Sequence, residues 1–321
     1  MSTNLYCLSA RNRKRKDCKR LGCVQPKSSS VWHIGLSGGA PDSGLLGVLF
    51  TFPSQYSFAI GLTGVFSLTG WSRHTDNQSS VMRLGSLAMC KVLKDAGMDP
   101  IFQLACRDRN RIALESDLLS AAMFGIENIL CLTGDHTKMG DHPQAKPVFD
   151  LDSVSLLHTV KLLESGVDLG GNQLVGEPPK FSKGAVVSPC SDSVDAQLAK
   201  MERKVAAGAD YFQTQAVFEP EKFIKFMEKA KQFGKPVQVG IIIPKSAGMA
   251  KFMNNNVAGI HVPDEMIEEL KADKEKTKAG ITGVEIAARI IKECKPYCQG
   301  VHIMALGWES KIPALLEQAG I

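Results

Sequence analysis

From residue 101 to the end, the chain alternates short apolar runs with stretches of helical periodicity. The runs start near residues 101, 128, 184, 211, 237 and 300, and each is followed by a helical pattern. Strict strand-then-helix alternation implies a parallel sheet with helices packed on it. The spacing predicts helices over 81–96, 153–164, 195–207, 220–233, 246–253, 264–272, 283–294 and 311–319. In the first, Val81, Leu84, Leu87, Ala88 and Val92 form the expected apolar face, with Gly97 as the stop. Six units and a leading helix predict an α/β chain folded as a (β/α)8 TIM barrel whose first β/α unit is atypical or missing. An open doubly wound sheet is the runner-up. No GxGxxG follows any of the six runs, which weakens it.

The stretch 102–136 is the most sharply written part. It reads as strand, charged turn, helix and second strand, and Thr133-Gly134-Asp135-His136 opens a polar loop from the carboxyl end of that second strand. The charged turn, Arg107-Asp108-Arg109-Asn110, suits either internal ion pairs or a phosphate. The helix after it places Leu114, Leu118, Ala121 and Ala122 on one stripe.

The active site of a barrel lies at the carboxyl ends of its strands. The groups expected there are Thr75, Asn77, Gln103, the Arg107 turn, residues 133–136, Ser188, Gln215, Lys245, Ser246 and His302. Amides and a few bases dominate, no Ser-His-Asp set falls in register, and the metal-binding residue types are scattered without ligand spacing. Such a set suits a planar polar ligand better than hydrolysis. Asp135 reads equally well as a cap. Gln215 reads as a structural amide as well as a ligand contact, and His302, inside an apolar run, as a core histidine.

Charge is unevenly spread. Nine Lys/Arg and two Asp/Glu give residues 1–74 a charge of +7, while the other 247 residues sum to −2. The basic run 11–20 suits a solvated tail, and the body carries no basic excess that would suit nucleic acid. Residues 21–74 hold only Lys27, Asp42 and Arg73 as charges, with nine Ser, nine Gly and seven aromatics. Their apolar pieces are too short for a membrane span. The nine cysteines form no CxxC pair, which suits a reduced cytoplasmic setting without a zinc site. The expected division is therefore an atypical, disordered or frame-altered segment over 1–74 and a barrel domain over 75–321.

The sequence of 102–136 closely resembles the methylenetetrahydrofolate reductase family. So do TDNQSSVMR (75–83), DHPQAKPVFDLDS (141–153), ERKVAAGADYFQTQAVF (202–218), PKSAGMAKFMNNNVAGI (244–260) and GVHIMALGWE (300–309). The resemblance implies a flavin-dependent barrel that reduces 5,10-methylenetetrahydrofolate to 5-methyltetrahydrofolate by hydride transfer from flavin N5. It implies FAD, or FMN as the alternative, charged by NAD(P)H or another donor. It implies catalytic roles for Asp135, beside flavin and pterin, and for Gln215, on folate and nicotinamide. Flavin contacts are implied for Thr75, Asn77, Gln103, Thr133, Gly134, Asp135, Phe149, Asp150 and Lys204, and no metal ligand. The implied partners are methylenetetrahydrofolate, a zinc or iron–sulfur companion protein, and further subunits in a homo- or hetero-oligomer.

The resemblance also exposes departures. Gln103 and Thr133 stand where the better-known bacterial branch has a histidine and an arginine, and Trp308 and Ser188 stand where it has an arginine and a histidine. The family's first strand carries a glutamate that activates folate, and none is found before Thr75. Glu177-Pro178-Pro179 resembles that motif but lies in an irregular stretch. A non-catalytic flavin- or folate-binding subunit and a folate-dependent methyl-transfer partner are the competing readings.

Overall fold

Strands β3 (Asp99–Ala105), β4 (Asn128–Leu132), β5 (Ser182–Val187), β6 (Tyr211–Ala216), β7 (Val237–Ile242) and β8 (Gly300–Met304) are the six read from the sequence, and they lie parallel in one curled sheet. The computed structural model describes residues 64–67, 71–257 and 259–321. Most of the predicted atypical head, including its basic run, lies outside the described residues.

The sheet is buried on both faces, as a parallel sheet covered by helices must be. In β3 every residue after Asp99 is buried. Successive side chains alternate between faces: Phe102 and Leu104 join the main core with the helices, while Gln103 and Ala105 face inward.

Two short strands precede Thr75. β2 (Trp71–His74) pairs in parallel with β3. β1 (Gly64–Ser67) runs antiparallel to both β2 and β8, and the ring of strands closes only through it. A full (β/α)8 barrel is therefore not seen: among the described residues no helix comes between β1 and β2, and β1 opposes the direction of its neighbours. A chain that returns over the few residues between Ser67 and Trp71 can only pair antiparallel, because a parallel return needs a crossover.

The helices α1 (Ser86–Asp95), α2 (Arg111–Met123), α3 (Ser153–Glu164), α4 (Val194–Ala206), α5 (Pro220–Ala230), α6 (Ala247–Asn256), α7 (Asp264–Ala272), α8 (Lys274–Ala279), α9 (Ile281–Cys294) and α10 (Ile312–Ala319) follow. Side-chain caps start several of them: Asn110 accepts from Ala113 N at 3.1 Å and Asp152 from Ser155 N at 2.7 Å. The leading helix corrects the sequence reading. It begins at Ser86, not 81, and its buried face is Ser86, Met89, Cys90 and Leu93. Leu84 and Val92 remain 43% and 56% exposed. The chain before it is held in a 3₁₀ turn, Gln78–Ser80, with left-handed backbone at Asn77, Ser79 and Ser80. α8 was not anticipated at all.

Candidate functional site

A cleft of about 290 Å³ opens at the carboxyl ends of the strands. Thr75, Asn77, Gln103, Gly134, Asp135 and Gln215 line it, together with Asp76, Arg107, Gln213 and His302. The structure thus brings together six of the residues implied by the sequence. Thr133, Phe149, Asp150 and Lys204 do not line this cleft. Thr133 Oγ1 accepts the Ser153 N–H at the start of α3, 3.1 Å away. Phe149 adopts a left-handed backbone and its ring lies 6.3 Å from that of His136. Asp150 receives the Arg111 guanidinium at 2.8 and 2.9 Å. Lys204 Nζ donates to the Val186 carbonyl at 2.6 Å, behind the cleft wall, and burial, then Lys200, pulls its pKa down.

The charged turn after β3 proves to be a brace. Arg107 is buried and donates Nε and Nη2 to Asp108 at 2.8 and 2.6 Å. The same guanidinium reaches the carbonyls of Asn77 and Asp135 at 3.2 and 3.3 Å. One planar fork thereby ties the loops after β2, β3 and β4 together. Its hydrogen bonds hold Asp108 below the usual carboxylate range. Arg109 also bridges: Nη1 lies 2.7 Å from Asp76 and Nε 2.8 Å from Asp117. Asp76 also accepts the Ala105 N–H at 2.8 Å. Burial alone would lower the Arg109 pKa, but Asp76 and Asp117 more than offset it.

Asp135 is positioned through its backbone. Ser80 Oγ donates to its carbonyl at 3.0 Å, opposite Arg107. The preceding Gly134 has φ +91°, and a Cβ there would stand 3.1 Å from Arg107 Cβ. Glycine meets both demands: it accepts the left-handed backbone and leaves room for Arg107.

Gln215 is aimed by a β-bulge. The register passes from Gln213↔Gln238 to Ala216↔Gly240, so three steps on β6 match two on β7. Bulges re-aim side chains next to sites. Thr214 Oγ1 accepts the Gly240 N–H at 2.8 Å and repairs the interrupted ladder. A Cβ on Gly240 would lie 2.5 Å from the Thr214 carbonyl, so the bulge requires glycine on the neighbouring strand.

Asp76 and Gln213 were missed by the sequence reading. Asp76 looked like part of a polar turn, and only Arg109, 33 residues on, reveals its burial. Gln213 sits inside an apolar strand, where a lone amide gives no local signal. Glu177 of the Glu-Pro-Pro motif is exposed and does not line the cleft. The cleft's carboxylates are Asp76 and Asp135. Among the described residues no group of three or more His, Cys, Asp or Glu could hold a metal ion, and no helix is long and apolar enough to cross a membrane.

The methylenetetrahydrofolate reductase profile matches residues 67–320. It therefore begins within β1, eight residues before Thr75. Methylenetetrahydrofolate reductase 2 of Schizosaccharomyces pombe is 27% identical over 74% of this chain and 38% of its own length. The 5,10-methylenetetrahydrofolate reductase of Pectobacterium carotovorum is 26% identical over 64% of each chain. Among solved structures, an uncharacterized Clostridium thermocellum protein that binds two copies of 5-methyl-5,6,7,8-tetrahydrofolic acid superposes with a TM-score of 0.52 at 16% identity, over 74% of this chain and 77% of that one. The chain spans little more than a third of the length of the Schizosaccharomyces relative, 38%.

Proposed function

The chain belongs to the methylenetetrahydrofolate reductase family, and from that membership we propose that it reduces 5,10-methylenetetrahydrofolate to 5-methyltetrahydrofolate with a flavin bound in the strand-end cleft. The observation that carries this reading is the convergence of Thr75, Asn77, Gln103, Asp135 and Gln215 on one cleft. The lining fits a planar, polar ring. Four amides, Asn77, Gln103, Gln213 and Gln215, offer both donors and acceptors, and Gln213 Oε1 is a buried acceptor without a hydrogen-bond partner. The methyltetrahydrofolate held by the Clostridium protein supports a folate ligand here.

A bound flavin, FAD or FMN, supplies the two-electron chemistry. The chain's own residues bind and orient. Asp135 sets a carboxylate at the cleft, where it disfavours negative charge on a neighbouring ring and so favours hydride release. Gln215 orients the folate, and the nicotinamide when NAD(P)H is the donor. Arg107 and Ser80 hold Asp135 still. Thr133, Phe149, Asp150 and Lys204 are assigned to parts of the flavin outside this cleft. A zinc or iron–sulfur companion protein as electron donor, an assembly with further subunits and a cytoplasmic setting belong to the same proposal.

One observation favours a second reading, a non-catalytic flavin- or folate-binding subunit. Among the described residues the cleft carboxylates are Asp76 and Asp135, and Asp76 is engaged by Arg109, so Asp135 has no second free acid among them. Purified protein mixed with FAD or FMN and passed through a desalting column tests flavin binding, and oxidation of a reduced donor on adding methylenetetrahydrofolate then separates the enzyme from a binding subunit. The expected result is a yellow protein fraction with a flavin absorption band. A colourless fraction with both flavins would remove both flavin readings.

A further inference from the structure

Gln213 and Gln238 are register partners on β6 and β7, exposed by 0% and 4%. Barrel interiors are filled mainly by branched aliphatic side chains, so two facing amides need a reason. They hydrogen-bond once: Gln213 Nε2 donates to Gln238 Oε1 at 2.8 Å. In that arrangement the nitrogen of Gln213 serves β7 and its oxygen is left over. Gln213 Oε1 has no hydrogen-bond partner, although the residue lines the cleft.

Buried acceptors are almost always satisfied, and an orphan points to a missing donor. The neighbouring side chains do not supply one. Leu132, Val186 and Met304 of the cleft lining carry no N–H or O–H. The Thr214 hydroxyl donates to the Gln215 carbonyl at 2.6 Å and accepts from Gly240 N. Gln238 uses its oxygen on Gln213 itself.

We infer that Gln213 is a specificity-determining residue of the cleft, whose Oε1 accepts a hydrogen bond from a ring N–H adjacent to a carbonyl on the bound ligand. This rests on the cleft being the ligand site. The isoalloxazine ring of a flavin and the pterin ring of a folate both carry such an N–H, so the shared chemistry is a cyclic amide edge.

Titrations of the full chain with lumiflavin and 3-methyllumiflavin, and separately with 6-methylpterin and its N3-methyl derivative, test the inference. Each pair is run on the wild type and on Gln213→Met. One buried hydrogen bond corresponds to roughly a tenfold change in affinity. The wild type should therefore bind one N–H ring about tenfold tighter than its N-methyl form, and the pair that discriminates identifies the ring. Gln213→Met should bind both members of that pair alike. Equal binding of N–H and N-methyl rings by the wild type would overturn the inference, since the orphan oxygen would then be met by water alone. Discrimination retained in Gln213→Met would overturn it too. No binding of either ring by the wild type would overturn the inference together with the cleft reading, and so differs from binding without discrimination. The wild-type comparison decides the matter even if Gln213→Met fails to fold.

Discussion

The Asp76 carboxylate lies 2.7 Å from Arg109 Nη1, with its side chain fully buried, and this pair joins the loop after β2 to the turn after β3. Two charges taken from water hold together only when each has its partner and further hydrogen bonds. Asp76 has the Ala105 N–H and Arg109 has Asp117. Removing Asp76 leaves Arg109 with Asp117 alone and strands the buried Ala105 N–H. Asp76→Ala should therefore cost about 1–3 kcal/mol in urea unfolding. Because Thr75 and Asn77 flank Asp76, flavin affinity should fall with it. Unfolding at the wild-type midpoint would show that the pair is not load-sharing in solution.

Gly240 permits the bulge that aims Gln215. Gly240→Ala places a Cβ 2.5 Å from one carbonyl oxygen and 2.7 Å from the next. Overpacking of this kind costs about 1–3 kcal/mol. The expected phenotype is a lowered melting temperature and weakened folate binding. A melt unchanged from wild type would mean that the strands separate freely there and that the bulge does not set Gln215.

Acid should weaken the ion pairs of the turn after β3 in a defined direction. Hydrogen bonds from Arg111 hold the Asp150 carboxyl at about 2, and those from Arg107 hold Asp108 below its ordinary value. A folded-state pKa below the unfolded one contributes stability at neutral pH. That contribution is complete above the ordinary carboxylate range of about 4. It is lost as pH falls through the folded value, about 2 for Asp150. Calorimetric melts taken from pH 6 downward should thus hold level and then drop below about pH 4. Asp150→Asn should flatten only part of the drop, because Asp150 is at the surface and its pair is screened. A melting temperature that rises as pH falls below 4 would contradict the assignment.

How far the sequence reached depended on whether the forces were local. β3 and β4 were legible because a strand buried on both faces reads as a continuous apolar run, as 101–106 and 128–132 do. α1 was misplaced because hydrophobicity was taken for burial. Leu84 and Val92 stay at the surface while Ser86 and Cys90 turn inward. α8, KEKTKA, has almost no apolar face to give a period. Its cap, Asp273 accepting from Lys276 N at 3.2 Å, is the one sign it left. The meeting of Thr75, Asn77, Gln103 and Gln215 in one cleft was legible because all four stand at or near strand ends. The antiparallel β1, the Arg109–Asp76 pair and the bulge opposite Gly240 were not, because each is decided by a partner distant in the chain. Burial pushes the Cys90 and Cys106 thiols up to about 12, and both behave as small core hydrophobes.

The central claim is that flavin in this cleft passes hydride to methylenetetrahydrofolate with Asp135 beside it. The direct measurement is a single turnover: flavin-loaded protein is photoreduced without oxygen, methylenetetrahydrofolate is added, and the flavin absorption band is followed. The expected result is return of the oxidised band with formation of one equivalent of 5-methyltetrahydrofolate, slowed in Asp135→Asn by at least about tenfold, or 1.4 kcal/mol of barrel-site barrier, with flavin affinity little changed. A flavin that binds but stays reduced in the presence of methylenetetrahydrofolate, or an Asp135→Asn variant that turns over at the wild-type rate, would contradict it.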